Sequence, residues 1–571
     1  MQDFLTQRIR RGLVRRLNNL KIAGMARRVA ERAPQPDGRP VVFFKASTGI
    51  DDLSWNSGFH LLASWALRLQ GIPVAYFACD AGMSHCVLGT NREDVRKAPP
   101  CRSCVYQSRT LYKGVPTFER SNVGTFKRSS VGWFGYERDQ ELAQALENLS
   151  VDELSRFGWP PSADHVVAKQ SPRLAQEIAS APGTPLAKTL PLGDLCLPGL
   201  RWILRVRHLQ DDEDTRFLYR EFILSAWNVA QKFSTFLDEA NPRAVVVFNG
   251  QFFPEAAARW VSLKRGLRVI THEVRLQPSS AFFTDGEATA YPIHIPEEFE
   301  LSEQQNVRLD AYLAKRFQGD FTMAGIKFWP DMQGLDESFL RKSAGFKQIV
   351  TIFTNVIFDT SQPHANTVFE DMFDWLDLAL EVIRLHPETL FVIRAHPDEL
   401  RVRKSSRETV QDWVEQRQAD QLENVVYVAP RESLSSYELI QRSKFVMVYN
   451  STIGLEASIM GKPVLCAGKA RFTQYPTVFF PQTLGAQRSM LEEFLVAGAI
   501  RVPPELKRNA RRFLYYQLFR TSLPFGEFLE PSVRSTQTRL KSFDLEALVK
   551  SEAIKVVVQG VLEGGDFLLR G

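Results

Sequence analysis

The stretch Val448-Tyr449-Asn450-Ser451-Thr452-Ile453-Gly454-Leu455-Glu456-Ala457, continuing to Met460-Gly461-Lys462-Pro463-Val464-Leu465, reads as strand, helix, strand. A short apolar run ends at Asn450, two hydroxyl residues open a helix, and Gly461 closes it before the next apolar run. A helix that starts directly behind a buried strand leaves its first N–H groups unpaired, with the positive end of its dipole at the sheet edge. Such a start holds phosphate. Ser451 and Thr452 add hydroxyl donors, Gly454 permits close approach, and Glu456 lies one turn in from Thr452 on the same face, where an acceptor takes ribose hydroxyls. The same residues also read as a capped helix after a strand, which many α/β proteins contain.

Working outward, Gln348 to Phe353, Leu390 to Ala395 and Val425 to Val428 are further short apolar strands, and 365–385 is helical in pattern. The same alternation occurs upstream. Val41 to Ala46 is a strand, Ser47 to Ser57 a polar loop, Gly58 to Gln70 a helix and Pro73 to Ala78 a strand. Ala244 to Phe248, a helix from Pro254 to Lys264 and Val269 to Thr271 follow. Alternating strand and helix twice over predicts an α/β chain of two doubly wound Rossmann-type domains facing a cleft. A helical insertion over 135–240 belongs to the first. The expected division is a basic arm over 1–32, a first domain over 40–330, a second over 345–505 and a helical segment over 506–571.

A second motif lies in Phe391-Val392-Ile393-Arg394-Ala395-His396-Pro397. Pro397 stops the strand and sets His396 at its carboxyl end, the ligand-bearing edge of open parallel sheets. A histidine there bonds or protonates a departing phosphate. His386-Pro387 repeats the dipeptide, but at a helix end, where it reads as a turn.

Strand–Arg-x-His-Pro, then about fifty residues on, strand–Asn-Ser-Thr-x-Gly-x-Glu-Ala and Gly-Lys-Pro-Val, resembles the donor domain of GT-B glycosyltransferases. It is most similar to the capsule polysaccharide biosynthesis group, which includes the bacterial Kdo transferases. The resemblance covers 348–468, and it implies that His396 contacts the donor phosphate with Arg394 beside it. It also implies that Ser451 and Thr452 bind phosphate and that Glu456 faces the nucleoside. The implied activity moves a sugar from a nucleotide-activated donor to a surface polysaccharide or glycolipid, without a metal in the chemistry. A sugar-nucleotide 2-epimerase, or a degenerate scaffold that only binds nucleotide sugar, are the rival readings.

On the acceptor side the first domain offers Asp51, Asp52, Asn56 and His60 after the first strand, and Asn249 and Glu273 at later strand ends. Asp51, Asp52 or His60, or Glu273 as the alternative, would deprotonate the acceptor hydroxyl; turn and cap roles are the competing reading for such aspartates. Cys79, Cys86, Cys101 and Cys104 cluster in a loop-rich segment, which in a cytoplasmic protein favours metal over disulfides; a structural zinc, with His85 as a substitute ligand, is one reading, and unliganded thiols or a redox pair are the others.

Charge is unevenly distributed. Residues 1–32 carry nine Arg or Lys against Asp3 and Glu31, a balance of +7, so the rest of the +6 chain sums to −1. The body is therefore no nucleic-acid surface. The arm is amphipathic if helical and would lie on an anionic leaflet or pack on its own domain. No apolar run reaches the length of a membrane span, and the expected location is cytoplasmic, peripheral on the inner membrane face.

Overall fold

The computed structural model describes residues 2–46, 50, 52–115, 130–160, 189–318, 334–359, 361–400 and 405–570. Two compact units divide the chain. Met1–Ile203, His208–Tyr291 and Thr521–Gly571 form the first, and Leu204–Arg207 with Pro292–Arg520 form the second.

The first unit holds β1 (Val41–Lys45), β2 (Val74–Cys79), β3 (Ser130–Phe134), β4 (Ala244–Phe248), β5 (Arg268–Val274) and β6 (Ser280–Thr284). Their order is β6-β5-β4-β1-β2-β3, with a two-residue strand, Leu523–Pro524, outside β6. Strands β1 to β5 run parallel, and β6 turns back antiparallel on β5. Every residue of β1 and β2 is buried, which is why both read as continuous apolar runs rather than alternating ones.

Its principal helices are α1 (Gln2–Arg32), α2 (Trp55–Leu69), α3 (Cys101–Leu111), α4 (Glu213–Ala240) and α5 (Glu255–Lys264). The Ser54 hydroxyl accepts from the Ser57 N–H at 3.1 Å and starts α2 at Trp55. Trp55 to Ser57 are thus helix, not loop. Phe59, Leu62 and Trp65 of α2 pack into one core with Phe43, Val246 and Ile270 of the sheet. Phe525, Phe528, Ile554, Val557 and Val561 join that same core. This differs from the expected division: 521–571 is part of the first unit, and apart from Leu204–Arg207 the chain passes to the second unit after Tyr291 rather than near 330. The apolar face of the terminal helix is legible in the sequence, but not the surface that covers it. On the opposite sheet face, Phe233 of α4 packs against Phe44 and Phe77 at 5.0 and 4.9 Å between ring centres.

Helix α1 has two halves. Ile22, Met25, Ala26 and Val29 belong to the core, and Asn18 donates to Asp52 at 3.1 Å while accepting from the Leu540 N–H at 2.9 Å. Ile9, Leu13, Leu17 and Leu20 are 68, 57, 57 and 63% exposed. The arm packs on its own domain through one half and presents apolar side chains to solvent on the other.

The second unit is a parallel sheet of β7 (Gln348–Phe353), β8 (Thr389–Arg394), β9 (Val425–Val428), β10 (Phe445–Val448) and β11 (Val464–Cys466). Their order is β11-β10-β7-β8-β9. Helices α6 (Glu303–Phe317), α7 (Met372–Leu385), α8 (Ser436–Arg442), α9 (Ile453–Ile459) and α10 (Pro504–Tyr515) accompany it. Helix α7 starts at Met372, not near 365, because Asp371 caps it, accepting from the Phe373 N–H at 2.7 Å. In both sheets the first strand is central and the connections diverge beside it, between β1 and β4 and between β7 and β10. Both units are therefore doubly wound, and each has a switch point where loops splay apart at the carboxyl edge.

Candidate active site

The second unit's switch point collects the sequence motifs. Phe353 of β7 is in register with Arg394 on one side and Val448 on the other. His396 and Asn450 each lie two residues beyond that row, on strands flanking β7. Ordinary strand spacing separates those strands by about 9–10 Å. Asn355, just past β7, fills the middle, its side-chain oxygen accepting from the Asn450 N–H at 3.3 Å. Gln362 donates to the Asn450 side chain at 3.4 Å.

His396 is half-buried, and its Nδ1 accepts from the Asp398 N–H at 3.2 Å. With Nδ1 accepting, the neutral ring carries its proton on Nε2. Burial holds the His396 pKa below the usual imidazole range; Asp398 and Asp359 oppose this, and Arg394 reinforces it. The group is a neutral hydrogen-bond donor at neutral pH.

Helix α9 starts at this edge with Thr452 as its cap residue, and the Thr452 side chain makes no capping bond. Ser451 is buried, and its carbonyl accepts the Gly454 N–H at 3.1 Å. Two readings change here. A Cβ on Gly454 would lie 2.9 Å from Val448 Cγ2, so this glycine lets the helix sit on its own strand rather than admit a ligand. Glu456 is 3% exposed, paired with Arg316 at 2.7 Å and accepting from Tyr437 at 2.5 Å, so it is not an open acceptor for ribose. Arg394 is likewise engaged. It donates to the carbonyls of Ala429 and Glu432 at 2.6 and 2.7 Å, tying the end of β8 to the loop after β9.

At the first unit's switch point, Lys45, Phe248 and His272 lie at or near the ends of the adjacent strands β1, β4 and β5. The His272 ring lies 4.4 Å from that of His60 of α2, centre to centre, at a tilt of 57°. Both rings are buried, and among the described residues none of their four nitrogens has a hydrogen-bond partner. Burial keeps both well below the usual imidazole pKa. His60 is thus a neutral core residue, which corrects its expected acceptor-side role. Lys45, which the sequence reading did not single out, is 3% exposed and donates to Ser57 at 3.1 Å. Burial pulls its pKa down to about 8, against the pull of Glu255. At the end of an apolar run a lysine usually reads as the solvated end of a strand.

Asn249 takes a left-handed backbone, φ 60°, and donates to Glu273 at 3.1 Å, so two separately chosen residues form one pair. Asn56 is half-buried in the first turn of α2. Asp51 lies outside the described residues. Asp52 is buried, accepting from Asn18 and from the Leu53 N–H, which makes it a structural tie. Cys79, Cys86, Cys101 and Cys104 line a single pocket of this unit, and none forms a disulfide. His85 is not in its lining; its ring packs edge-on to Phe217 at 5.4 Å.

Residues 334–475, which contain the whole second sheet, match the family model described as capsule polysaccharide biosynthesis protein. That match lies wholly within the second unit and spans about a quarter of the chain. Among solved structures, the chain is similar to a β-Kdo 2,4 transferase, KpsC, of Thermosulfurimonas dismutans, at 11% identity. That match covers 54% of this chain and 87% of the other, with a TM-score of 0.32. The β-Kdo 2,7 transferase KpsC of that organism matches at 14% identity over 56% of this chain and 87% of the other, with a TM-score of 0.31. A UDP-GlcNAc 2-epimerase of Neisseria meningitidis matches at 15% identity over 51% and 80%, with a TM-score of 0.23. Comparison with curated protein sequences finds no match. The described residues include no helix long and apolar enough to cross a membrane.

Proposed function

We propose that the chain is a glycosyltransferase that takes a sugar from a nucleotide-activated donor and passes it to a surface polysaccharide or glycolipid. The observation that carries this reading is the placement of His396 and the α9 start on one sheet edge, either side of β7, although 55 residues separate His396 from Ser451. The donor's phosphates lie between them. His396 Nε2–H and the amides that lead into α9 ahead of Gly454 hold the negative charge that grows as the glycosidic bond to phosphate breaks. Ser451 and Thr452 add hydroxyl donors. Glu273, oriented by Asn249, takes the proton of the acceptor hydroxyl. The chemistry requires no metal.

The exposed half of α1 serves the same task by holding the enzyme at an anionic inner membrane leaflet, where a glycolipid acceptor resides. Ile9, Leu13 and Leu17 recur every fourth residue and share one helix face, with Arg10, Arg11 and Arg16 exposed around them.

The test is turnover of a panel of nucleotide sugars with and without an acceptor glycan extract. Sugar transfer to the acceptor supports the reading. Conversion of a nucleotide sugar to its epimer without acceptor would replace it with the epimerase reading, and binding without turnover would leave a scaffold.

A further inference from the structure

We propose that Cys79, Cys86, Cys101 and Cys104 form a tetrathiolate site for one structural zinc ion in the first unit. The four residues come from three places, the end of β2, the loop after it and the first turn of α3, yet all line one cavity of about 20 Å³. That is room for a single small occupant. Among the described residues the remaining lining, which includes Ala46, Met83, Leu88 and Pro99, supplies no competing carboxylate or imidazole.

A second, independent observation concerns the backbone. Cys79-Asp80-Ala81-Gly82 and Cys86-Val87-Leu88-Gly89 repeat a Cys-x-x-Gly unit. In each, the glycine N–H donates to the sulfur three residues earlier, at 3.1 Å for Gly82 and 3.3 Å for Gly89. An N–H aimed at sulfur is a weak contact for a thiol and a strong one for a thiolate. Both glycines are sterically required. A Cβ on Gly82 would stand 2.2 Å from Phe134 Cε2, and one on Gly89 would stand 2.8 Å from Pro99 Cβ. Two backbone turns are thus shaped to bring N–H groups to sulfur in a pocket otherwise apolar.

Among the described residues no three such side chains already stand at metal-binding separation, so the thiols close inward on the ion. Binding exchanges four S–H protons for one Zn²⁺, giving a site of charge −2 that remains redox-inert. Lys45, electrostatically coupled to Cys104, offsets part of that charge. Because Ala46 and Ile50 also line the cavity, the metal holds these two residues beside the end of β2 and the start of α3.

The experiment is metal analysis of the full chain purified under reducing conditions without chelator. About one zinc per chain is expected, falling to near zero in Cys79→Ser and in Cys104→Ser but retained in Cys196→Ala, whose thiol lies elsewhere in the core. Should the serine variants fail to fold, wild-type protein loaded with Co²⁺ instead is expected to show the charge-transfer absorption of a cobalt tetrathiolate. Zinc-free protein, iron in place of zinc, or a Cys101–Cys104 disulfide found by mass spectrometry would each overturn the proposal.

Discussion

Arg316 and Glu456 form an ion pair at 2.7 Å, with side chains 13 and 4% exposed, and the Tyr437 hydroxyl closes on the second carboxylate oxygen at 2.5 Å. Three helices, α6, α8 and α9, meet in this contact. It holds α9, whose start lies at the carboxyl edge of the second sheet.

Removing one partner of a buried pair strands the other charge, at a cost of about 3–5 kcal/mol. Glu456→Ala is therefore expected to lower the melting temperature of the second unit clearly. Glu456→Ala combined with Arg316→Met is expected to regain part of that loss. Thermal unfolding of both variants checks this. A Glu456→Ala protein as stable as wild type but weak in nucleotide binding would restore the ribose role.

His396 is half-buried at the edge and contributes little to the core. His396→Ala is expected to fold normally and to lose about 10²–10³ in turnover, the usual cost of one oriented donor to a developing charge. His396→Gln, which keeps an N–H donor, should recover part of the rate. Steady-state kinetics with the donor identified by the nucleotide-sugar panel measures both. Unchanged turnover in His396→Ala would remove this residue from the chemistry.

Glu399 follows the His-Pro motif by two residues and is 1% exposed, accepting from the Val410 N–H at 3.2 Å. Burial pushes its pKa up from 4.5 to about 8. The folded state then holds a proton that the unfolded chain releases, so this group's contribution is full below about pH 4.5 and is lost as pH rises towards about 8. Glu399→Gln keeps an acceptor for Val410 without the charge. Its melting temperature is expected to match wild type near pH 5 and to exceed it by several degrees near pH 8. Equal values across the range would show that Glu399 ionises freely in the fold.

The exposed half of α1 offers a separable test. Replacing Ile9, Leu13 and Leu17 by Ser removes roughly 1 kcal/mol or more of apolar burial per residue at a lipid surface. Binding to anionic vesicles should fall about 100-fold, while melting temperature and donor binding hold, because Ile22, Met25 and Val29 do the packing. Wild-type vesicle binding should also weaken with salt. Vesicle binding that survives the triple substitution would place the membrane contact elsewhere.

The local sequence determined the elements. Continuous apolar runs such as Val41–Phe44 and Phe391–Ile393 identify strands buried on both faces, and Pro397 and Gly461 punctuate where they must. Those signals depend on a residue and its near neighbours, so the α/β alternation and the motif-bearing edges of the second unit are legible in one dimension. Partners are not. The sequence shows Glu456 one turn from Thr452, but only the folded chain brings Arg316, 140 residues earlier, to its carboxylate. His60 reads as a candidate acceptor-side residue until the folded chain sets its ring against His272 in the core. The return of 521–571 to the first unit is a choice among apolar faces of similar pattern, made by shape and packing across hundreds of residues.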